Sequence, residues 1–296
     1  MVIAAADDYD YEESKAAPIS NESDDLMIKA FLKWKDAFNK TYCRELDLLI
    51  AFRQFEKEFI AVHAHNQMFE DGRTSYKQKL CDKSDMTLEA KRSVLNGLAP
   101  VVGLPTTRSF DETQLNLKKA PAKWDWRRHG LDWMEIRDQG LSCGCCWAMT
   151  AADALSAMFF RKSGEKIMFS AQNFVDCNIN NETGCWGCDG GLIDVAFKYA
   201  LCNRGIMSSD DYPYEGIEGQ CRFNSSTAYN ETHIGLSSYV VLTPGNDELM
   251  KRAIYNHGPC GIGMHANCST IFSYAEGIYD DPTCISKVLN HAALCV

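Results

Sequence analysis

Apolar residues return at helical spacing once the chain leaves its acidic start. Phe31, Trp34, Phe38 and Tyr42 recur every three to four positions after Asp25. A second stretch, from about Glu45 to Phe69, sets Phe52, Phe55, Phe59 and Val62 on one face. Both patterns predict helices, and together a small helical bundle. Residues 99–120 carry Pro, Gly, Thr and Lys without a period, which predicts a linker. From Ala148 the run Ala-Met-Thr-Ala-Ala-Asp-Ala-Leu-Ser-Ala-Met-Phe-Phe predicts a buried helix, with Gly164 placed to cap its end. Ser170 to Asp176 predicts a short helix, and Leu192 to Cys202 an amphipathic one closed by Gly205. Past His233 the pattern shortens to β-prone runs such as Ser237 to Leu242, with one helix near Asp247–Asn256. Helix-rich then strand-rich text predicts an α+β fold of two lobes with a cleft between them.

Composition narrows the setting. The 296 residues suffice for one large or two medium domains with a sizeable core. A net charge of −10, with no basic run that could track phosphates, argues against a nucleic-acid partner. No apolar stretch is long enough to predict a membrane span. Fourteen cysteines are many for this length, and only Cys43 and Cys81 precede Cys143. Asn-X-Ser/Thr sites at Asn21, Asn39, Asn181, Asn224, Asn230 and Asn267 point the same way, to an oxidising secretory or lysosomal setting. A secretory chain should open on a signal peptide, yet Met1–Ala6 runs straight into Asp7, Asp8 and Asp10. Either the signal lies outside this sequence or the start is misplaced, with a cytosolic protein as the less favoured third reading.

Cys143-Gly144-Cys145-Cys146-Trp147 stands directly before the buried helix. Cys146 thus falls at a helix N-terminus, where unpaired amides and the helix dipole favour an anion. That position predicts a thiol pKa lowered toward the nucleophilic thiolate. A thiolate needs a base, and His291 follows 145 residues on, within Leu289-Asn290-His291-Ala292. Cys-Gly-small-Cys-aromatic followed by such a His resembles the papain-family cysteine protease signature. The remaining histidines, His257 and His265 among them, are expected to face solvent or to pack. The cysteines admit a competing story. Cys143/Cys146 and Cys185/Cys188 each have C-x-x-C spacing, as zinc or redox sites do, although the gap of about 38 residues exceeds common zinc-ribbon spacing.

The resemblance implies a papain-like two-lobe α+β fold, a helical lobe and a β-barrel-like lobe, preceded by an α-helical inhibitory prodomain. The implied division is an acidic disordered tail (1–25), a prodomain (26–98), a linker crossing the cleft (99–120) and a peptidase domain (121–296). Phe31-x-x-Trp34 and Phe38-Asn39-Lys40-Thr41-Tyr42 resemble the opening of that prodomain. Its interrupted helical motif is matched by Asp47, Phe55, Val62 and Asn66, with Ala51 and Glu58 in place of its Arg and first Asn. Lys79, Cys81 and Lys83 replace the Gly, Asn and Phe that the family sets before Ser84-Asp85-Met86-Thr87. These departures predict weaker self-inhibition.

For catalysis the resemblance implies a Cys146–His291 thiolate–imidazolium pair that hydrolyses peptide bonds. Gln139, with the backbone N–H of Cys146, is the implied oxyanion donor. Gln139 stands seven residues before Cys146, one more than the family pattern, so an extra residue at Leu141 or Ser142 must bulge. Gly190 and Gly191 fall in the implied substrate-binding stretch, where Gly191 would pair with an extended peptide. Leu192, Ile193, Gly263, Leu289 and Ala292, with Asn290 beside them, align with the pocket for the substrate's P2 residue. All five pocket positions are apolar or small, which predicts an apolar P2 as in the cathepsin L-like branch. Cys143–Cys188 and Cys177–Cys221 are the implied disulfides, and Cys145 with Cys185 is a candidate third bridge. No metal or cofactor is implied. The implied partners are peptide and protein substrates and the chain's own prodomain, with a monomer expected. The family continues well past the His291 segment, with the Asn that orients the imidazole and a cysteine partner for Cys284. The sequence is therefore expected to be incomplete at its C-terminal end. A genuine stop after Val296 would instead favour an inactive homologue acting as an inhibitor or binding protein.

Overall fold

The computed structural model describes residues 21–95, 97–99, 115, 117–179, 184–203, 205–230, 234, 236–284 and 288–296. Most of the predicted tail and most of the 99–120 linker lie outside these residues. The chain divides into two units, one of Met1–Arg92 with Asn267–Cys284, the other of Ser93–Ala266 with Ile285–Val296. The boundary differs from a simple prodomain–peptidase split because a strand from late in the chain pairs with one from early in it.

In the first unit, α1 (Asn21–Ala37) and α2 (Glu45–Glu70) form where the helical periodicity predicts them. Acidic Glu45 and Asp47 occupy the first turn of α2, favourable toward its dipole. The apolar stripes meet in a cluster of Phe31, Trp34, Ala51 and Phe55, against which Phe38, Tyr42, Phe52 and Phe59 pack. Trp34 and Phe55 are fully buried, each contributing about 1.5–3 kcal/mol. Trp34 Nε1 donates to the Cys81 carbonyl at 2.9 Å, which ties the segment after α2 to the cluster. That segment holds β1 (Tyr76–Gln78), antiparallel to β3 (Tyr274–Gly277), with Tyr76 opposite Gly277 and Gln78 opposite Tyr274. Asn66 pins β1 to α2: its side chain donates to the Gln78 carbonyl and accepts from the Gln78 amide, both at 2.9 Å.

The departures from the family motif are accommodated rather than left as defects. Ala51 is buried in the aromatic cluster. Glu58 meets Lys91, a residue of α3 (Leu88–Leu95), at 3.2 Å, and the Lys91 side chain is only 3% exposed. Breaking such a buried pair strands the remaining charge. Glu58→Ala is expected to destabilise the first unit by about 3 kcal/mol, read as a shift in its denaturant midpoint. A shift corresponding to less than about 1 kcal/mol would mean that Lys91 finds water or another partner.

The second unit is built on α4 (Cys146–Ser163), ended by Gly164 in the left-handed conformation (φ 79°), whose amide bonds the Phe160 carbonyl at 2.8 Å. Its core gathers Trp147, Phe159, Phe169, Phe174 and Ile206. α5 (Ala171–Cys177) is N-capped by Ser170, whose hydroxyl accepts from the Asn173 amide at 2.9 Å. α6 (Ile193–Cys202) follows, and then α7 (Asp247–His257), capped by the Asn246 side chain. β2 (Cys260–Met264) pairs antiparallel with β4 (His291–Cys295), Met264 opposite His291 and Gly263 opposite Ala292. The β-prone run Ser237 to Leu242 forms none of these strands; its Tyr239 ring lies 6.0 Å from Phe197, so packing rather than ladder pairing uses the aromatic residue. No helix of the described residues is long and apolar enough to cross a membrane.

Candidate active site

Cys146 opens α4, and Trp147 behind it is fully buried, with its Nε1 donating to the Gly187 carbonyl at 3.2 Å. A disulfide joins Cys143 to Cys188 (S–S 2.03 Å), and the Gly144 amide bonds the Cys188 carbonyl at 2.8 Å. The turn before Cys146 is thereby stapled to the loop ending in Gly190-Gly191. A Cβ on Gly191 would stand 2.5 Å from the Trp147 ring and 3.0 Å from Cys185 Sγ, so only glycine fits. A second bridge, Cys177–Cys221, holds the end of α5.

β4 reaches the same point from the other side. The Ala292 amide donates to Cys146 Sγ at 3.3 Å, which sets His291, the first residue of β4, next in the chain to that contact. Asn290 just before it is buried, and its side-chain oxygen accepts from the Ala266 amide at 2.8 Å.

A third segment, 97–99, runs over the sulfur. The Gly191 amide bonds the Gly97 carbonyl at 3.1 Å, the Ala99 amide bonds the Gly191 carbonyl at 2.9 Å, and the Leu98 amide bonds the Asn290 carbonyl at 3.3 Å. Leu98 and Gly191 form a parallel bridge. A Cβ on Gly97 would collide with the Gly144 carbonyl and sit 3.0 Å from Cys146 Sγ. Beyond it, Leu98 reaches Gly263: a Cβ there would lie 3.0 Å from Leu98 Cδ2 and 3.2 Å from Leu289 Cδ1. Ile193 borders β2 two residues away, facing Gly261, whereas Leu192 is taken into the core with Cys143 and Trp147.

Burial changes the electrostatics predicted for Cys146. The amides of Ala292, Gly97, Trp147 and Cys146 itself all favour the thiolate, but burial outweighs them and pushes the thiol above its ordinary value. A helix start lowers a thiol pKa only where water or a counter-charge reaches the sulfur. In the intact chain, iodoacetamide should therefore modify Cys146 slowly at pH 7, with the rate climbing about tenfold per pH unit into the alkaline range. Removal of the 97–99 segment should raise the rate at pH 7, followed by mass spectrometry of the Cys146 peptide. A fast, pH-independent rate in the intact chain would show a thiolate already formed.

Gln139 is buried, and its carbonyl accepts from the Tyr214 hydroxyl at 2.9 Å. Two residues earlier Arg137 is locked by Asp153 at 2.6 Å and by the Phe169 carbonyl at 2.7 Å. Gly140 to Ser142 make a turn, with Gly140 left-handed (φ 75°) and Leu141 exposed, so the added length loops outward. The candidate bridge between Cys145 and Cys185 is absent. Cys145 Sγ lies 3.0 Å from the Tyr214 hydroxyl, while Cys185 faces the Asn178 side chain at 3.6 Å, so each thiol is taken by a different neighbour. The zinc alternative also fails on these cysteines, because Cys143 and Cys188 are spent on each other. Two participants escaped the sequence reading. Of segment 97–99, only Ala99 falls in the aperiodic linker stretch, whereas Gly97 and Leu98 fall within the bounds of the implied prodomain, and Tyr214 stands in the sequence only as part of a turn-rich Tyr-Pro-Tyr.

Comparison with known proteins bears on the whole chain. Residues 120–296 match the papain family of cysteine proteases, and residues 31–90 match the cathepsin propeptide inhibitor domain (I29). Cathepsin L of Sarcophaga peregrina is 33% identical over 280 residues, covering 92% of this chain and 79% of its own. Cathepsin S of Bos taurus is 34% identical, covering 89% of this chain and 76% of its own. Digestive procathepsin L 3 of the Tenebrio molitor larval midgut superposes with a TM-score of 0.79 at 28% identity, covering 92% of this chain and 84% of its own. The chain belongs to the papain family of cysteine proteases. Within it, the propeptide domain and the cathepsin relatives make it a cathepsin L-like precursor, a cysteine endopeptidase that carries its own inhibitor.

Proposed function

We propose that Cys146 is the nucleophile, His291 its base and acid, and Gln139 the oxyanion donor, in an endopeptidase that selects an apolar P2 residue. The observation that carries this reading is the 3.3 Å contact of the Ala292 amide with Cys146 Sγ, which brings the start of β4 to the start of α4. With the cleft free, His291 takes the thiol proton and Sγ attacks the scissile carbonyl. The negative oxygen of the tetrahedral intermediate meets the Cys146 amide and the Gln139 side chain. His291 then returns the proton to the leaving amine, and water releases the acyl group from sulfur. Tyr214, through the Gln139 carbonyl, and the Arg137–Asp153 pair hold the segment that presents Gln139.

Gly191 offers its amide and carbonyl to an extended chain, the two groups that segment 97–99 uses. Leu98 packed against Gly263 and Leu289 supports a P2 pocket there, with Ile193 and Ala292 alongside and Leu192 behind it in the core. We assign residues 26–98 to the inhibitory piece and 121–296 to the peptidase. The cysteine content and the two disulfides fit a lysosomal or secreted enzyme. The processed enzyme is expected to cleave Leu-Arg and Phe-Arg reporters with kcat/KM about 10–200-fold above Gly-Arg, the range a hydrophobic pocket supplies. Equal rates, or a preference for Arg at P2, would reject the pocket assignment.

A further inference from the structure

We propose that Tyr214 is a positioning residue of the oxyanion hole that holds Gln139 to the start of α4, an inference that rests on Gln139 being the side-chain donor. Stabilising a developing oxyanion needs donors fixed before the charge appears, and misplacement by about 1 Å can cost roughly a hundredfold in rate. Gln139 stands seven residues before Cys146, and the added length leaves as a turn with Leu141 exposed. A turn that bulges outward does not by itself fix the distance between its ends. The Cys143–Cys188 bridge and the bond from the Gly144 amide to the Cys188 carbonyl fix the end nearer Cys146. Arg137, bound to Asp153 and the Phe169 carbonyl, fixes the chain before Gln139. Tyr214 ties one side to the other.

The Tyr214 hydroxyl donates to the Gln139 carbonyl at 2.9 Å, and Cys145 Sγ lies 3.0 Å from the same hydroxyl oxygen. A hydroxyl has one proton, and here the carbonyl takes it, so the Cys145 thiol is the donor in the second bond. The order is Cys145 S–H to Tyr214 O–H to Gln139 C=O. Burial keeps both groups protonated: it pushes the Cys145 thiol up to about 11 and the Tyr214 phenol above its ordinary value. Cys145 is the N-cap residue of α4, directly before Cys146. The phenol therefore links the Gln139 peptide to the residue that precedes the nucleophile.

The turn that presents the phenol is itself anchored on both sides. Before it, the Tyr212 hydroxyl donates to the Asp176 carboxylate at 2.7 Å and the Tyr212 carbonyl accepts from the Ser170 hydroxyl at 2.6 Å. After it, the Glu215 amide donates to the Gln172 side chain at 2.9 Å. A cleft of about 380 Å³ opens between residues 138–142 and 214–217, so the hydroxyl reaches across space that packing does not fill. Without the hydroxyl the Gln139 peptide can shift into this cleft and carry its side-chain amide along. Substrate binding at Gly191 and in the P2 pocket is untouched by such a shift, so the loss falls on kcat rather than on KM.

The test measures kcat and KM of the processed enzyme on a Leu-Arg reporter, beside the rate at which iodoacetamide alkylates Cys146. That alkylation forms no oxyanion and reads the fold and the thiolate alone. Tyr214→Phe should lower kcat about 30-fold, with KM within about twofold and alkylation unchanged. Gln139→Ala should lower kcat about 10²-fold. Adding Tyr214→Phe to Gln139→Ala should cost less than about twofold more, since the hydroxyl acts through Gln139. Cys145→Ala should cost about fivefold in kcat and Cys145→Ser less, because serine still donates; equal losses would overturn the part given to the thiol. Losses that multiply in the double variant, or alkylation slowed as much as turnover, overturn the proposal, because the hydroxyl would then support the fold and not the donor. An unchanged kcat in Tyr214→Phe beside a fall in Gln139→Ala overturns it alone. An unchanged kcat in Gln139→Ala overturns the oxyanion assignment with it.

Discussion

Cys146→Ser is expected to lower kcat of the processed enzyme by about 10⁴-fold or more while leaving the fold intact. The serine hydroxyl fits the space of the thiol, and the Ala292 amide can still donate to it, so α4 and β4 stay joined. What disappears is the nucleophile: a hydroxyl in this site gives no appreciable anion, and a neutral oxygen attacks an amide far more slowly. His291→Ala should cost about as much, because without the imidazole neither the thiolate nor the protonated leaving group forms. The double variant should be little worse than either single one, since groups that act as a unit lose their contribution once. Leu-Arg reporter hydrolysis, with thermal unfolding as the check on folding, measures all three. A Cys146→Ser enzyme retaining a tenth of the activity would move the nucleophile to another thiol.

The elements that local periodicity encodes were legible. α4 was readable because its apolar run ends at a left-handed glycine, and α2 because Phe52, Phe55, Phe59 and Val62 share a face. The position of Cys146 at a helix start was readable for the same reason. Its raised pKa was not, because burial under a segment some fifty positions earlier leaves no local trace. Glu58 looked like a lost motif residue; its partner Lys91 lies 33 positions on, and nothing between them has a period that would connect the two. β2 contains Gly261 and Gly263, poor strand formers, and is a strand because β4 pairs with it. The same holds for β3, whose partner β1 lies nearly two hundred residues away. Long-range pairing decided what composition could not.

Gly97→Val should free the active site of the intact chain, raising the rate at which a leucyl chloromethyl ketone labels Cys146 by about 10³-fold. The Cβ at this position falls on the Gly144 carbonyl and beside Cys146 Sγ, and backbone at that point is fixed by the Cys143–Cys188 bridge. Neither side has a flexible end that could give way, so the segment itself must leave. Three backbone hydrogen bonds go with it, those of Gly191 to Gly97, Ala99 to Gly191 and Leu98 to Asn290, at about 1 kcal/mol each. Leu98 also leaves Gly263 and Leu289, for about another 1 kcal/mol from a half-buried side chain. The sum, about 4 kcal/mol, is the origin of the thousandfold figure. Leu98→Ala removes only the last contribution and keeps the backbone seated, so it should raise labelling about fivefold. The gradient between the two variants separates backbone exclusion from pocket filling. If Gly97→Val labels no faster than the unaltered chain, segment 97–99 does not restrict access to Cys146.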